Sequence, residues 1–160
     1  MDVHHETTKG AYQMYRRGTQ SYRKTNVMTA DPKKLVILCY EGAIDNLKMG
    51  KNKIIEKDYE GKCRALTRAQ DIIAELLSSL NFEKGGSIAN SLDSLYNYML
   101  RTIIHADFEN DIPAIDEVVR LLSELKGAWE EIFSRKEHEI ESEEAKASQG
   151  QVQALGSVSA

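Results

Sequence analysis

Four stretches of this chain carry apolar residues that return every three or four positions, and each begins at a break marked by Asp, Pro, Gly or Ser. In the first, Val36, Tyr40, Ala43, Leu47 and Ile54 recur. In the second, Cys63, Leu66, Ala69, Ile73, Leu76 and Leu80 do. Ile88, Leu92, Leu95, Met99, Ile103 and Ala106 form the third stripe; Ile115, Val118, Leu122, Leu125, Trp129 and Ile132 form the fourth. Such spacing is that of helices packed at shallow crossing angles. Each helix runs roughly 20 to 27 residues, or about 30 to 40 Å. Short links make neighbours turn back on one another. The pattern predicts an all-α, antiparallel up-down four-helix bundle over residues 31–135.

The helix starts have physical signals. Asp31 precedes Pro32, a cap followed by a residue that needs no N–H in the first turn. Asp58 and Asp111 are further caps, with Pro113 in the first turn after Asp111. "GGS" at 85–87 reads as a break, with Ser87 capping the third helix.

Within the first helix, "LVILCY" is a run of six apolar or aromatic residues, Leu35 to Tyr40. Alone it would suit a buried strand. The cap and the 3-and-4 spacing that continues beyond it favour a helix. At about 100° per residue, Val36 and Tyr40 face the core, Ile37 and Ile44 flank it, and Leu35 and Leu38 point outward. The third helix shows a similar surplus, with Tyr96, Leu100 and Ile104 on its flank. A bundle with surplus apolar surface has a partner for it. The matching mode is an amphipathic helix laid into a groove. The competing reading is that the flanking residues complete a broad core.

Before the bundle, residues 1–9 read as disordered. Residues 10–30 bring Tyr12, Tyr15 and Tyr22 at spacings of three and seven, a short helical segment or lid interrupted by Gly18. After the bundle, residues 136–160 are acidic and then small and polar, and read as a flexible tail.

The net charge of −4 resides in that tail, where residues 137–160 hold five Glu and one Lys. A neutral body with an acidic end is a poor ligand for phosphate, so no nucleic-acid role is expected. The basic cluster of Arg16, Arg17, Arg23 and Lys24 reads as a solvated face. No apolar stretch approaches the ~18 residues of a membrane span, so no membrane insertion is expected. Nor does the polar start resemble a secretory signal. Cys39 and Cys63 read as buried free thiols in a reducing compartment.

Catalytic patterns are lacking. There is no Glu-x-x-His pair for a di-iron bundle. His4, His5, His105 and His138 read as surface residues, and "EKGGS" lacks the Lys-Ser/Thr ending of a phosphate loop. No enzyme, cofactor or metal is expected.

The segments "AYQMY", "TADPKKLVILCYEGAIDNL", "AQDIIAELLSSLNFEKGGSIANSLDSLYNYM" and "EVVRLLSELKGAWEEI" together resemble the flagellar secretion chaperone FliS family over about residues 10–135. Where that family has "LYDGAI", this chain has "LCYEGAI", with Cys39 and Glu41. The resemblance implies a cytoplasmic chaperone that binds the C-terminal segment of flagellin, prevents its premature polymerisation and aids delivery to the flagellar type III export apparatus. It implies a monomer when flagellin is bound, with the export gate as a second candidate contact. It also places the N-terminal segment, Tyr12 and Tyr15 included, near the binding surface as a cover. From helix geometry the groove-lining candidates are Leu35, Ile37, Leu38, Ile44, Leu100 and Ile104. A helical scaffold or signalling bundle that binds another amphipathic helix fits the apolar surplus equally; a bundle enzyme or metal protein is the third reading.

Overall fold

The computed structural model describes residues 31–156. The expected N-terminal segments 1–9 and 10–30, with Tyr12 and Tyr15, lie outside the described residues. Among those described there are four helices and no strand: α1 (Pro32–Ile55), α2 (Tyr59–Ser78), α3 (Phe82–Glu109) and α4 (Ile112–Gly156). Residues up to Lys126 form one compact unit and those from Gly127 onward a second. The bundle belongs to the first.

The aspartate caps stand where the sequence puts them. Asp31 accepts from the Lys34 N–H at 2.9 Å, Asp58 from Gly61 at 2.9 Å, and Asp111 from Ala114 at 3.1 Å. Each satisfies an N–H that the first turn leaves without a partner. The Gly61 N–H, followed by Lys53, holds the Asp58 carboxyl below its ordinary range.

The third start differs. Asn81 caps α3, accepting from Lys84 at 2.9 Å, and helix begins before "GGS" rather than after it. The break survives as a kink at Gly86, whose φ of 50° and ψ of −125° are not helical. Ser87 lies beyond that kink, inside the helix.

Helix α1 is covered by three neighbours. Leu35, Cys39, Gly42, Asn46 and Gly50 are all buried and form one stripe of mostly small side chains. This stripe faces α2: Gly50 lies so near that an added Cβ would sit 2.5 Å from Leu66 Cδ2, and Cys39 feels the charge of Glu75. Asn46 is satisfied within the helix, donating to the Gly42 carbonyl at 2.7 Å. On a second sector, the buried Tyr40 hydroxyl hydrogen-bonds the Tyr96 hydroxyl of α3. Burial, and then Tyr40, push the Tyr96 phenol far above its ordinary range. On a third, Lys51 pairs with Asp116 at 2.7 Å and Glu41 with Lys126 at 3.0 Å, joining α1 to α4. Glu41 is thus an interhelical ion-pair partner.

Within the long apolar run Leu35, Cys39 and Tyr40 are buried and Val36, Ile37 and Leu38 half-buried, and several expected placements change. Leu35, expected to point outward, is buried, and Ile44, expected to flank, is also buried. Tyr96 likewise moves from flank to core. Conversely, Ile88 was placed in the core and is 64% exposed, because it follows the kink before α3 has settled onto its neighbours.

Cys63 is exposed, against the expectation of two buried thiols, while Cys39 is buried. Burial, followed by Glu75, pushes the Cys39 thiol from 9.0 up to about 11. Treatment of the folded protein with a thiol reagent at pH 8 is therefore expected to modify one cysteine quickly, Cys63, and the second only after denaturant is added. Mass mapping reads the site; rapid labelling of Cys39 would contradict its burial. Because Cys39 holds its proton more tightly folded than unfolded, its stabilising effect is complete below pH 9 and is lost between pH 9 and about 11.

In the second unit, helix continues to Gly156 through the stretch read as a flexible tail. All residues from Ser134 to Gly156 are exposed. Local terms account for the helical backbone: the sequence is rich in Glu, Ala, Lys and Gln, and Arg135 pairs with Glu131 one turn away. Trp129 stacks on Phe133 with ring centroids 5.7 Å apart.

Candidate functional site

The bundle leaves one apolar row on the outside of α3. Leu100 is half-buried, Ile104 is 57% exposed and Phe108 is 85% exposed. Their spacing of four keeps them on one face. Beside this row lies the start of α2, where Tyr59 and Cys63, again four apart, are also exposed.

Lys62 joins the two helices at this point. Its ammonium donates to the Asp107 carbonyl at 2.6 Å and to Asn110 Oδ1 at 2.8 Å, and pairs with the Asp107 carboxylate at 3.0 Å. It also lies 5.5 Å from the centre of the Tyr59 ring. All of its donors are therefore directed inward, to the last turn of α3, where carbonyls lack helical partners. Asn110 ends that turn in the left-handed conformation, φ 54°. With its charge occupied, Lys62 acts as a floor. Tyr59 and Cys63 stand on one side of it and Ile104 and Phe108 on the other. The arrangement offers apolar contact area and no set of reactive groups. Among the described residues, no cluster of His, Cys, Asp or Glu is placed to hold a metal ion.

The expected site residues divide between this seam and the far end of the bundle. Leu100 and Ile104 belong to the seam. Ile37 and Leu38 are half-buried on α1, next to Cys39, which approaches Glu75 near the end of α2. The seam instead lies at Lys62, near the start of α2. Thirteen residues of α2 separate the two levels, roughly 20 Å at 1.5 Å per residue. The structure does not bring these residues into one pocket; a ligand touching both sets must be long. Leu35 and Ile44 are withdrawn into the core.

Tyr59 and Phe108 were missed in the sequence. Phe108 follows Leu100 and Ile104 at the same interval of four, a signal that was present but stopped one step short. Tyr59 stands four residues before Cys63, a spacing that extends the second stripe by one step, but its place beside Lys62 comes from tertiary contact.

Residues 14–136 match the model of a protein family described as flagellar protein FliS. The chain belongs to the FliS family. It is similar to the flagellar secretion chaperone FliS of Vibrio cholerae, 37% identical over 121 residues, 73% of this chain and 89% of that protein. The FliS chaperone of Salmonella typhimurium is also 37% identical, over 72% of this chain and 89% of its own length. The Bacillus subtilis FliS is 30% identical over 69% and 82%. A solved structure described as a flagellar chaperone from bacteria superposes with a TM-score of 0.62 at 22% identity, over 77% of this chain and 97% of that one. That likeness concerns the fold and bears out the helical bundle. The relatives are named chaperones, in keeping with a FliS-family chain read as no enzyme. No described helix is long and apolar enough to cross a membrane.

Proposed function

We propose that this chain is a cytoplasmic export chaperone for flagellin. It binds the amphipathic C-terminal segment of flagellin, keeps it from polymerising early, and aids its delivery to the flagellar export apparatus. The observation that carries this reading is the exposed row Leu100, Ile104 and Phe108 beside Tyr59, in a chain whose relatives are named flagellar secretion chaperones. An apolar row with no catalytic group beside it suits the burial of another apolar helix. Nothing in this scheme consumes nucleotide: binding supplies the free energy, and export removes the client. Contact with the export gate is a separate part of the proposal.

The test is a calorimetric titration with a peptide of the flagellin C-terminal segment. Changing both Ile104 and Phe108 to Glu is expected to weaken binding at least about 100-fold, since each buried aliphatic or aromatic side chain contributes about 1.5–3 kcal/mol. The thermal midpoint should stay nearly unchanged, because both side chains face solvent. Leu38→Glu, at the far end, should weaken binding by a smaller factor. Unaltered affinity in the double variant sinks the seam as the client surface. A peptide that fails to bind at all sinks flagellin as the client and favours the scaffold reading.

A further inference from the structure

The start of α3 is held loosely against the bundle. No residue from Asn81 to Ile88 is buried; the first anchor is Ala89. Residues 82–85 nonetheless make a complete turn with its own cap. The Asn81 side chain accepts from Lys84, and the Asn81 carbonyl accepts from Gly85 at 2.8 Å. The turn therefore keeps those hydrogen bonds whatever its angle to the rest of α3.

The joint that follows has a specific chemistry. Gly86 has a positive φ of 50°, and an added Cβ there would meet nothing within 4 Å. Glycine is needed there for the backbone angles and not for space, although at the neighbouring Gly85 an added Cβ would lie 2.8 Å from the Ala89 Cβ. Two large apolar side chains bracket it, Phe82 at 50% exposed and Ile88 at 64%. Asn81 follows the last turn of α2 closely, so the joint lies at the end of the bundle where Cys39 nears Glu75. That is the level of Ile37 and Leu38, about 20 Å from the Lys62 seam.

From these placements we propose that residues 81–86 form a flap, hinged at Gly86, that swings Phe82 onto a client helix extending from the seam to this end of the bundle. Weakly packed segments open at low free-energy cost, and binding elements are drawn from them. The flap lets one rigid bundle accept client helices of different girth at this end, while the seam stays fixed. The closing role rests on the client reading above; the hinge itself does not.

The two parts are tested together on the full chain by amide hydrogen exchange and calorimetry, using the flagellin C-terminal peptide. In the free protein, amides of 82–88 should exchange at least about 100-fold faster than those of 92–106, and should slow at least tenfold when peptide is added. Phe82→Ala should weaken peptide binding about tenfold and leave the thermal midpoint within a degree or two. Gly86→Ala, strained at positive φ, should change the exchange of 82–88 and leave 92–106 as it was. Equal protection of 82–88 and 92–106 in the free protein would overturn the hinge, whatever the peptide does. Peptide binding that is indifferent to Phe82→Ala overturns the closing role and leaves the client reading standing. Absence of any peptide binding overturns the client reading and the closing role with it, while free-state exchange still decides the hinge.

Discussion

Gly50→Val should cost about 3 kcal/mol or more and lower the thermal midpoint by roughly 10 °C. The expectation runs against helix propensity, since replacing a mid-helix glycine usually gains up to about 1 kcal/mol. It follows from the closeness of α1 and α2. A Cβ at position 50 would lie 2.5 Å from Leu66 Cδ2 and 2.9 Å from Cγ, with the Ala65 Cβ at 3.8 Å. Leu66 is fully buried and has no open side to turn into, so the helices themselves must separate. Separation then loosens Cys39 and Asn46 along the same stripe. Gly127→Ala is the matched control: it also lies within a helix, an added Cβ would meet nothing within 4 Å, and its midpoint should rise slightly. A thermal melt of both variants is sufficient. A Gly50→Val protein as stable as the parent would show that α1 and α2 can part at Leu66 without cost.

The second large effect is expected at Lys62. Its side chain is 9% exposed and that of its partner Asp107 is 27% exposed. Lys62→Met keeps the aliphatic stem and removes the charge, leaving Asp107, its carbonyl and the Asn110 side chain without their shared donor. Removing one member of a buried pair costs about 3–5 kcal/mol; with Asp107 partly in water, about 2–3 kcal/mol is expected. Adding Asp107→Asn to Lys62→Met should recover part of the loss, because the orphaned charge is then gone. Urea titration reads both. If the double variant is as unstable as the sum of its parts, the loss arises from packing around the stem and not from the charge.

The sequence was most informative where structure depends on neighbours along the chain. Asp31, Asp58 and Asp111 are caps because a short side-chain oxygen reaches an N–H three residues on, and that geometry is local. The same holds for the apolar spacing that made helix the better reading of Leu35 to Tyr40. Assigning those residues to faces needed more. The stripe through Tyr40 and Leu47 puts Ile44 on its flank and Leu35 outside; α1 has neighbours on other sectors too, so both are buried, and for Ile44 the broad-core reading holds. Glycine and cysteine at positions 42, 50 and 39 carried the missing sign, since small residues at intervals of three and four mark a close helix approach. Asn81 was passed over because "GGS" was a louder break than a single Asn two residues before Glu83. Cys63 was counted as apolar by its spacing, although it sits at the edge of the stripe of α2. Of the candidate site, Leu100 and Ile104 were legible from periodicity, whereas Tyr59 acquires its place only when Lys62 folds across to α3.

The two ion pairs between α1 and α4 have a consequence for how the chain avoids assembling wrongly. A step of ten residues from Glu41 to Lys51 on α1 is matched by a step of ten from Asp116 to Lys126 on α4, running the opposite way. The signs alternate along each helix. Were α4 laid parallel to α1, Lys51 would meet Lys126 and Glu41 would meet Asp116, and every attraction would become a repulsion. Each exposed pair adds little to the depth of the native well. Their worth is in raising the energy of the mirror arrangement, so that four similar apolar stripes sort into a single threading.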